Sequence, residues 1–447
     1  MKPENNTGTI IVRYPPSPTG KLHVGNARTA LFNFLFAKKN GGKLIVRMED
    51  TDRERSKPEY EQDILDNLTW LGISWDNENI WKQSERTEVY KKYLQKLIDE
   101  GKAYISQESE GANKEVVRFK NPNKDVTFHD LIRGDVTFNT EELKDFIIAR
   151  NINEPIYHLA VVIDDFEAGV THVIRGDDGI SNTPRQILIQ EAIDAPRPIY
   201  AHVPLVLAKD KTKLSKRKHG ESVSLDYYKQ KGFLPEALAN FLALIGWNPG
   251  TDQEIFTLSE LIEVFDIEKV QKGGGVFDEI KLRHINKEHL KKLPEQELRD
   301  KISAIFSENQ IPVDPEMLSR AYHTIMERLE VWSDLHENIT NGEYAFMTDD
   351  PILDVDKMIW KDADKESTKA HLQHAKDIIE EIEIISSPDE IKNLLWNYAE
   401  EKGKGAVLWP LRYALTGKDK SPDPFTLIYI LQKEVVLQRI TRALERI

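Results

Sequence analysis

Two short segments of this chain carry side chains suited to binding phosphate groups. Residues 23–26 read His-Val-Gly-Asn and follow a proline- and glycine-rich turn at residues 15–20, which itself follows an apolar run at residues 10–12. Residues 213–217 read Lys-Leu-Ser-Lys-Arg and are densely cationic. A tight turn that leads into a helix presents free N–H groups at the positive end of the helix dipole, and lysines add mobile ammonium groups. The two segments therefore predict a site that holds a triphosphate and stabilises charge at its α-phosphorus.

Each segment also has a purely structural interpretation. His23 could donate to a phosphate oxygen and Gly25 could let a ligand approach the main chain, but a helix-capping histidine and a packing glycine would leave the same pattern. Lys213 and Lys216 could clamp phosphates, whereas a run of charge is more commonly a solvated surface loop. Five cations crowd into residues 211–218, directly after a predicted strand. That crowding is costly unless an anion is bound, which favours the binding interpretation.

Two further candidates lie where predicted strands end, and ligands of open α/β sheets bind at that edge. Glu49 follows the apolar run at residues 44–46 and could pair with a ligand ammonium group. Its alternatives are an exposed loop acid or a helix cap. Arg175 could form a forked pair with a ligand carboxylate, and its alternative is an ion pair with Asp177 or Asp178.

The elements that must position these side chains alternate between strand and helix in the first part of the chain. Apolar strands at residues 10–12 and 44–46 are each followed by a helical pattern, which predicts a parallel α/β sheet. Ser56 and Glu59 have the spacing of a capping box for the second helix. Short extended pieces between residues 115 and 138 indicate an insertion with β character.

Helical patterns continue from about residue 225 to the end of the chain. The region beyond residue 290 is helical and highly charged, and Pro410, Pro422 and Pro424 are expected to break it into shorter helices.

Composition narrows the classes of protein that are possible. A length of 447 residues predicts two to four domains. The absence of cysteine excludes disulfides, thiolate zinc sites and cysteine nucleophiles. No apolar stretch approaches the roughly 20 residues of a membrane span, and the first residues have no apolar signal core, so we expect a cytoplasmic protein. The net charge of −14 argues weakly against a nucleic-acid partner, although a basic groove can lie on an acidic body.

Taken together, these segments resemble the bacterial-type glutamyl-tRNA synthetases, which are class I aminoacyl-tRNA synthetases. The cationic segment corresponds to the second signature of class I enzymes, and the resemblance covers nearly the whole chain. The other matching segments are residues 13–20, 23–31, 41–53, 157–160, 172–176 and 181–186.

The resemblance implies a fold and a two-step reaction. The expected fold is α/β, with a Rossmann-like parallel-sheet catalytic domain, a small α+β insertion and an all-helical C-terminal region. The implied activity is glutamate–tRNA ligase: ATP with Mg²⁺ activates L-glutamate to glutamyl-adenylate, and the glutamyl group passes to the 3′-terminal adenosine of tRNA(Glu). In this family tRNA must usually be bound before the first step. The implied protein is a monomer with no membrane partner.

The resemblance also assigns roles to individual residues. His23 and Gly25 match contacts of the first signature to ATP, and Lys213 and Lys216 match the lysines that hold the phosphates; His23 and both lysines are the implied catalytic groups. Three other positions match those that recognise the side-chain carboxylate of glutamate: Arg13, Tyr157 and Arg175. Ser17 and Glu49 match positions near its α-amino group.

Four regions follow from the same resemblance. Residues 1–88 and 151–200 match the catalytic domain, and residues 89–150 a short insertion that binds the acceptor stem. Many relatives place cysteine-rich zinc ligands in that insertion; this chain has no cysteine, so we expect no zinc there. Residues 201–290 match a stem-contact region that contains the cationic segment. Residues 291–447 match the anticodon-binding region, where the candidate contacts are Trp409, Arg412 and Tyr413.

Alternative functions stay open at this point. The enzyme could be a non-discriminating form that also charges tRNA(Gln), or a catalytically inactive tRNA-binding paralogue. A shortened paralogue that modifies a tRNA base is disfavoured because the chain continues far beyond residue 217. A glutaminyl-tRNA synthetase is disfavoured because it typically has Glu-Pro-Asn-Gly where residues 17–20 read Ser-Pro-Thr-Gly.

Overall fold

The computed structural model describes residues 8–108, 115–361 and 363–447, with residues 216 and 217 described by their main chain alone. The chain divides into two compact units, Met1–His289 and Leu290–Ile447.

The first unit contains strands that belong to parallel and antiparallel sheets. The strands are β1 (Ile11–Tyr14), β2 (Lys43–Met48), β3 (Trp81–Lys82), β4 (Ala103–Gln107), β5 (Glu115–Phe119), β6 (Asp125–Asp130), β7 (Gly134–Asn139), β8 (Phe146–Asn151), β9 (Glu154–Pro155), β10 (His172–Gly176), β11 (Ile199–Val203), β12 (Val206–Leu207) and β13 (Gly275–Val276).

The helices of the first unit follow most of the parallel strands. They are α1 (Val24–Lys39), α2 (Pro58–Trp70), α3 (Thr87–Asp99), α4 (Tyr157–Glu167), α5 (Thr183–Ala192), α6 (Lys216–His219), α7 (Leu225–Lys231), α8 (Pro235–Leu244), α9 (Leu258–Val264) and α10 (Glu279–Leu290), of which α10 ends one residue beyond the unit.

A parallel layer forms the centre of the first unit. Strands β1, β2 and β3 pair in parallel, as do β10 and β11. The two groups meet where the N–H of Thr171 donates to the carbonyl of Ile11 at 2.9 Å. Because all these strands run in one direction, their carboxyl ends lie at one edge of the layer. The predicted parallel α/β sheet is confirmed.

The β-rich insertion between α3 and α4 has two parts. Strands β4, β5, β8 and β9 form an antiparallel sheet, and β6 and β7 form a hairpin. The hairpin extends the parallel layer, because Asp130 of β6 pairs with Tyr200 of β11. The expected extended pieces at residues 116–119 and 136–138 correspond to β5 and β7.

Two local predictions are wrong. Ser56 does not cap α2: the helix begins at Pro58, the N-cap is Lys57, and the buried Ser56 hydroxyl has no hydrogen-bond partner among the described residues. Proline restricts the residue before it to an extended conformation, which moves the cap from Ser56 to Lys57. Pro410 does not break its helix either, since it lies buried inside Lys404–Thr416. Packing of the surrounding apolar side chains outweighs the roughly 3 kcal/mol cost of an internal proline.

The second unit is a helical bundle in the part that the structure describes, residues 290–361 and 363–447. No helix among the described residues of either unit is long and apolar enough to cross a membrane. The helices are α11 (Glu295–Glu308), α12 (Pro315–Arg328), α13 (Trp332–Thr340), α14 (Val355–Met358), α15 (Lys365–Glu381), α16 (Pro388–Lys402), α17 (Lys404–Thr416) and α18 (Pro424–Arg446).

Candidate active site

One cavity of about 520 Å³ opens at the carboxyl edge of the parallel layer. The cavity brings together segments that are nearly 200 residues apart in the sequence. Lys216 is the first residue of α6, and its side chain lies outside the described residues. The other predicted ATP and glutamate residues line the cavity: Arg13, Ser17, His23, Gly25, Glu49, Tyr157, Arg175 and Lys213.

His23 is the N-cap of α1. Its Nδ1 accepts the main-chain N–H groups of Gly25 at 3.0 Å and Asn26 at 3.4 Å. A neutral ring whose Nδ1 accepts carries its proton on Nε2, so that N–H stays available to a ligand. Burial, and next the ammonium group of Lys213, lower the pKa of His23 and favour the neutral ring.

Gly25 is required by the cap itself. A Cβ atom at this position would lie 2.9 Å from Cε1 of His23, closer than carbon atoms pack. The capping histidine and the packing glycine, which were the structural alternatives, are therefore both present. They are compatible with ligand binding, since the cap holds the imidazole at the helix N-terminus that lines the cavity.

The cationic segment reaches the cavity through Lys213. The N–H of Leu214 donates to the carbonyl of Val206 at 3.1 Å, which ties the segment to β12. Nζ of Lys213 lies 3.2 Å from Oδ2 of Asp178, and both side chains are more than half exposed. An exposed ion pair contributes only about 0–1 kcal/mol to stability, so a phosphate group can readily replace Asp178 as the partner of Lys213.

Arg13 and Glu49 belong to a buried ion network. Arg47 of β2 lies at its centre and contacts the carboxylates of Asp165, Glu49 at 3.1 Å and Asp164 at 3.8 Å. Asp165 also accepts from Nε of Arg13 at 3.3 Å. Sequence reasoning missed Arg47, Asp164 and Asp165. The available signal was charge inside otherwise apolar elements, one arginine in β2 and two adjacent acids in α4.

The network gives its carboxylates different properties. Burial alone would raise the pKa of Asp165, but Arg47 and Arg13 outweigh it and hold that pKa below its ordinary value. For Glu49 burial prevails over Arg47, and its pKa is raised. Glu49 lines the cavity and is 8% exposed, so it is neither an exposed loop acid nor a helix cap. A ligand ammonium group at Glu49 would stabilise its charged form.

Arg175 is a buried cation of the cavity, and its hydrogen-bond partners among the described residues are all side chains without charge. Its guanidinium donates to His202 at 3.1 Å, Gln186 at 2.7 Å and Thr183 at 2.8 Å, all of them neutral acceptors. Within the described residues it makes no ion pair, and it is only 9% exposed. A buried charge without a partner is costly, so a site built this way favours an anionic ligand.

The structural alternative for Arg175 fails because its expected partners are occupied. Asp177 pairs with Arg133 at 2.9 Å, and Asp178 pairs with Lys213.

Two other predicted residues line the cavity from exposed positions. Tyr157 is the first residue of α4 and is 37% exposed, with its ring centroid 5.3 Å from that of His158. Ser17 lies in the exposed turn after β1, where its carbonyl accepts the N–H of Thr19 at 2.8 Å.

Arg28 is a cavity residue that was not predicted. Its guanidinium donates to the carbonyls of Pro204 at 2.8 Å and Ile245 at 2.5 Å and lies 4.5 Å above the ring of Phe32. It therefore fixes α1 against the chain after β11 and the end of α8. Its place among apolar residues on the buried face of α1 was the signal in the sequence.

The candidate anticodon residues lie on α17 of the second unit. Nε1 of Trp409 donates to the carbonyl of Lys357 at 2.8 Å, and the guanidinium of Arg412 lies 4.8 Å above the Trp409 ring. Tyr413 is buried, so its ring is not available for stacking on a base in this structure. Trp409 and Arg412 keep partly exposed surface.

Comparison with known families agrees with this arrangement. The family described as tRNA synthetases class I (E and Q), catalytic domain, matches residues 9–114 and 105–284. The family described as anticodon binding domain matches residues 288–444. A parallel sheet with a helix N-terminus and a cationic loop at its carboxyl edge is thus, in this chain, the catalytic domain of a class I tRNA synthetase.

Individual proteins that are similar to this chain indicate which kind of class I tRNA synthetase it is. The chain is 40% identical to a glutamate–tRNA ligase of Carboxydothermus hydrogenoformans, over 96% of this chain and 99% of that protein. It is 36% identical to glutamate–tRNA ligase 2 of Caldicellulosiruptor saccharolyticus, over 98% and 99%. A crystal structure of a glutamate tRNA ligase from Elizabethkingia meningosepticum, in complex with its amino acid, superimposes with a TM-score of 0.86 at 30% identity and covers 98% of this chain and 99% of that one. The chain belongs to the glutamate–tRNA ligase family. The family and fold class predicted from the sequence are confirmed.

Proposed function

We propose that this protein is a glutamate–tRNA ligase that activates L-glutamate with ATP and transfers it to the 3′-terminal adenosine of tRNA(Glu). The observation that carries the proposal is the cavity that Arg175 shares with the His23 helix cap and Lys213, since this buried guanidinium has no counter-ion in the part of the chain that the structure describes. One cavity thus offers cations for two anionic groups, a substrate carboxylate and a chain of phosphates.

The glutamate pocket is proposed from the charges around the cavity. Arg175 would pair with the side-chain carboxylate, supported by Arg13 and the hydroxyl of Tyr157. Glu49 would pair with the α-ammonium group near Ser17. Glutamine offers no negative charge to the guanidinium fork, and this difference supports selection of the acid over the amide.

The phosphates of ATP would lie at the N-terminus of α1. Nε2–H of His23 and the positive end of the α1 dipole suit phosphate oxygens, and Gly25 leaves room for the capping ring. Lys213 and Lys216 would hold the phosphates as charge develops. A volume of about 520 Å³ is ordinary for a site that binds a small molecule.

Mg²⁺ is proposed to arrive with the nucleotide. Among the described residues no three His, Asp or Glu side chains form a group that could hold a metal ion. Mg²⁺ commonly binds through one or two carboxylates together with substrate phosphates, and Asp178 is an exposed carboxylate that lines the cavity. When bound, the ion would offset phosphate charge.

The proposed chemistry needs no protein nucleophile. In the first step, an oxygen of the α-carboxylate of glutamate attacks the α-phosphorus of ATP, and the bond to pyrophosphate breaks. In the second, a ribose hydroxyl of the terminal adenosine attacks the carbonyl carbon, its proton is released and AMP leaves. The protein contributes by orienting the reactants and stabilising the developing charge.

The regions predicted from the sequence are proposed to divide the contacts with tRNA. Residues 1–88 and 151–200 carry the cavity, residues 89–150 receive the acceptor end without zinc, and residues 201–290 add the cationic loop and contacts to the stem. Residues 291–447 bind the anticodon, for which the partly exposed Trp409 and Arg412 are better placed than the buried Tyr413.

Glutamate-dependent exchange of pyrophosphate into ATP tests the proposal. The expected result is exchange with glutamate, weak or absent exchange with glutamine, and dependence on added tRNA(Glu). Aminoacylation of purified tRNA(Glu) and tRNA(Gln) then separates a discriminating enzyme from a non-discriminating one. Absence of exchange with and without tRNA would overturn the proposal in favour of a tRNA-binding protein.

A further inference from the structure

The buried ring of His202 links the proposed glutamate site to the β6–β7 hairpin. Its Nε2 lies 3.1 Å from Nε of Arg175, which is its partner in register on β10. On the other side, its Nδ1 lies 2.6 Å from Oδ2 of Asp130, the last residue of β6. Both His202 and Asp130 are completely buried. A chain of hydrogen bonds therefore runs from the hairpin to the cavity.

The carboxylate of Asp130 is held firmly in place. Its Oδ1 accepts the main-chain N–H groups of Ile132 at 2.9 Å and Arg133 at 2.8 Å, and its Oδ2 accepts the N–H of His202 at 2.9 Å. Burial alone would raise the pKa of Asp130, but hydrogen bonds from His202 and these main-chain groups outweigh it and keep the pKa below its ordinary value. Asp130 thus presents a fixed, ionised acceptor to the imidazole.

This acceptor determines which nitrogen of His202 carries the proton. With Asp130 accepting at Nδ1, the proton lies on Nδ1 and Nε2 has a free lone pair. That lone pair accepts Nε–H of Arg175, and Oγ1 of Thr183 lies at the same distance of 3.1 Å from Nε2. In the opposite tautomer Nε2–H could turn to Thr183, but it would face Nε–H of Arg175, and the hydrogen bond that holds the guanidinium would be lost.

The bond to His202 fixes the plane of the guanidinium. Of the five N–H groups of an arginine, three in Arg175 donate, to His202, Gln186 and Thr183. Within the described residues two N–H groups, one on each terminal nitrogen, have no acceptor. This pair is what a carboxylate accepts in a bidentate interaction, and its direction depends on how the other three are held.

We propose that Asp130 and His202 are positioning residues for glutamate recognition: Asp130 fixes the tautomer of His202, and His202 fixes the plane in which Arg175 meets the substrate's side-chain carboxylate. This inference rests on the proposed function and goes beyond it, because neither residue lines the cavity.

Asp130→Asn is the first test. The amide oxygen can still accept from Ile132 and Arg133, but its NH₂ group then faces both Nδ1 and the main-chain N–H of His202. It removes the acceptor of Nδ1–H and so drives the ring to the other tautomer. The expected result is a rise of about ten-fold in the glutamate KM, the loss of one hydrogen bond to a charged group, with the ATP KM changed less than about two-fold.

The same hairpin offers a matched control. Asp135 also accepts from a histidine, His129 at 2.7 Å, but both side chains are more than half exposed. Asp135→Asn should leave the glutamate KM unchanged. Equal effects of the two substitutions would contradict a specific role for Asp130.

Two variants of His202 separate positioning from folding. In His202→Gln, the side-chain oxygen can reach the place of Nε2 and accept from Arg175 without help from Asp130; in His202→Leu no acceptor remains. The glutamate KM should rise about ten-fold in the leucine variant and less than about three-fold in the glutamine variant. In the glutamine background, Asp130→Asn should add little further effect.

Glutamate affinity by calorimetry completes the experiment, because it does not depend on catalysis. If the wild type binds glutamate and His202→Gln is as weak as His202→Leu, the positioning role is wrong while the proposed function stands. Parallel losses in glutamate and ATP binding would indicate structural collapse and would equally overturn it. A wild-type protein that neither binds nor activates glutamate would overturn the proposed function, and this inference with it.

Discussion

Replacing Arg175 with methionine should weaken glutamate binding without lowering the stability of the fold. Replacing Arg47 with methionine should lower that stability. Both guanidinium groups are buried, but Arg47 contacts the carboxylates of Asp164, Asp165 and Glu49, whereas Arg175 contacts neutral acceptors. Removing one partner of a buried ion pair costs about 3–5 kcal/mol, because it leaves charge uncompensated. Arg47→Met leaves buried carboxylates without their cation, whereas Arg175→Met removes a buried cation that has no carboxylate partner among the described residues.

The magnitudes follow from these partners. Losing a buried guanidinium–carboxylate contact weakens binding by about 2–5 kcal/mol, which is about 30-fold to several thousand-fold in the glutamate Kd. Arg175→Met also removes the donor to the neutral acceptors His202, Gln186 and Thr183. A buried acceptor left unpaired costs about 1–3 kcal/mol, but the Thr183 hydroxyl lies 3.1 Å from Nε2 of His202 and can donate to it instead. Relief of the uncompensated charge opposes that cost, so the net change in stability should be small.

Two measurements check this reasoning. Calorimetric titration of glutamate and of an ATP analogue should show a loss confined to glutamate for Arg175→Met. Scanning calorimetry should show a lower unfolding midpoint for Arg47→Met and an unchanged or higher midpoint for Arg175→Met. An Arg175→Met variant that unfolded as easily as Arg47→Met would show that the guanidinium of Arg175 stabilises the fold instead of awaiting a ligand.

Three further changes test other parts of the cavity. Lys216→Ala should lower the rate of pyrophosphate exchange by about 100-fold or more, with Lys218→Ala as the control, because a charge directed at the transition state is lost; an unchanged rate would remove Lys216 from its role. Gly25→Ala should lower the exchange rate by about ten-fold at saturating substrate, because the methyl group displaces the His23 ring, and a normal rate would show that the ring position is unimportant. Glutamate affinity should be constant near neutral pH, where the substrate keeps its ammonium group, and should fall as the pH drops through the raised pKa of Glu49, since protonation removes the negative partner of that group. The Glu49→Gln variant should bind glutamate more weakly and lack this fall at low pH.

The sequence predicts well those features that depend on residues close together in the chain. The turn before His23, the strand that ends at Met48 and the extended pieces of the insertion each follow from local patterns of apolar, turn and β-branched residues. The failures at Ser56 and Pro410 also concern local rules. At Ser56 a second local rule, the effect of Pro58, prevailed, and at Pro410 tertiary packing prevailed over helix propensity.

The sequence does not predict which residues pair with the buried charged side chains, because these partners come from distant segments of the chain. Asp165 meets Arg13 from 152 positions away, and Asp130 meets His202 from 72. No spacing rule connects such residues without an alignment or a structure. What the sequence does contain is a charged residue in an apolar element, as at Arg47, and that observation marks a buried network without identifying its members.

The cavity also explains why net charge is a poor guide to what this protein binds. The chain carries a net charge of −14, yet around the cavity the acids are already engaged: Asp165 and Glu49 by Arg47, and Asp178 by Lys213. Arg175 remains without a counter-ion among the described residues. The field that a ligand meets is set by this local imbalance in a site partly closed to water, where charges interact more strongly than on the acidic surface. Arg28 also lines the cavity and, among the described residues, donates to main-chain carbonyls and forms no ion pair. This local excess of unpaired guanidinium charge favours an anionic substrate, whatever the sum of charge over the rest of the chain.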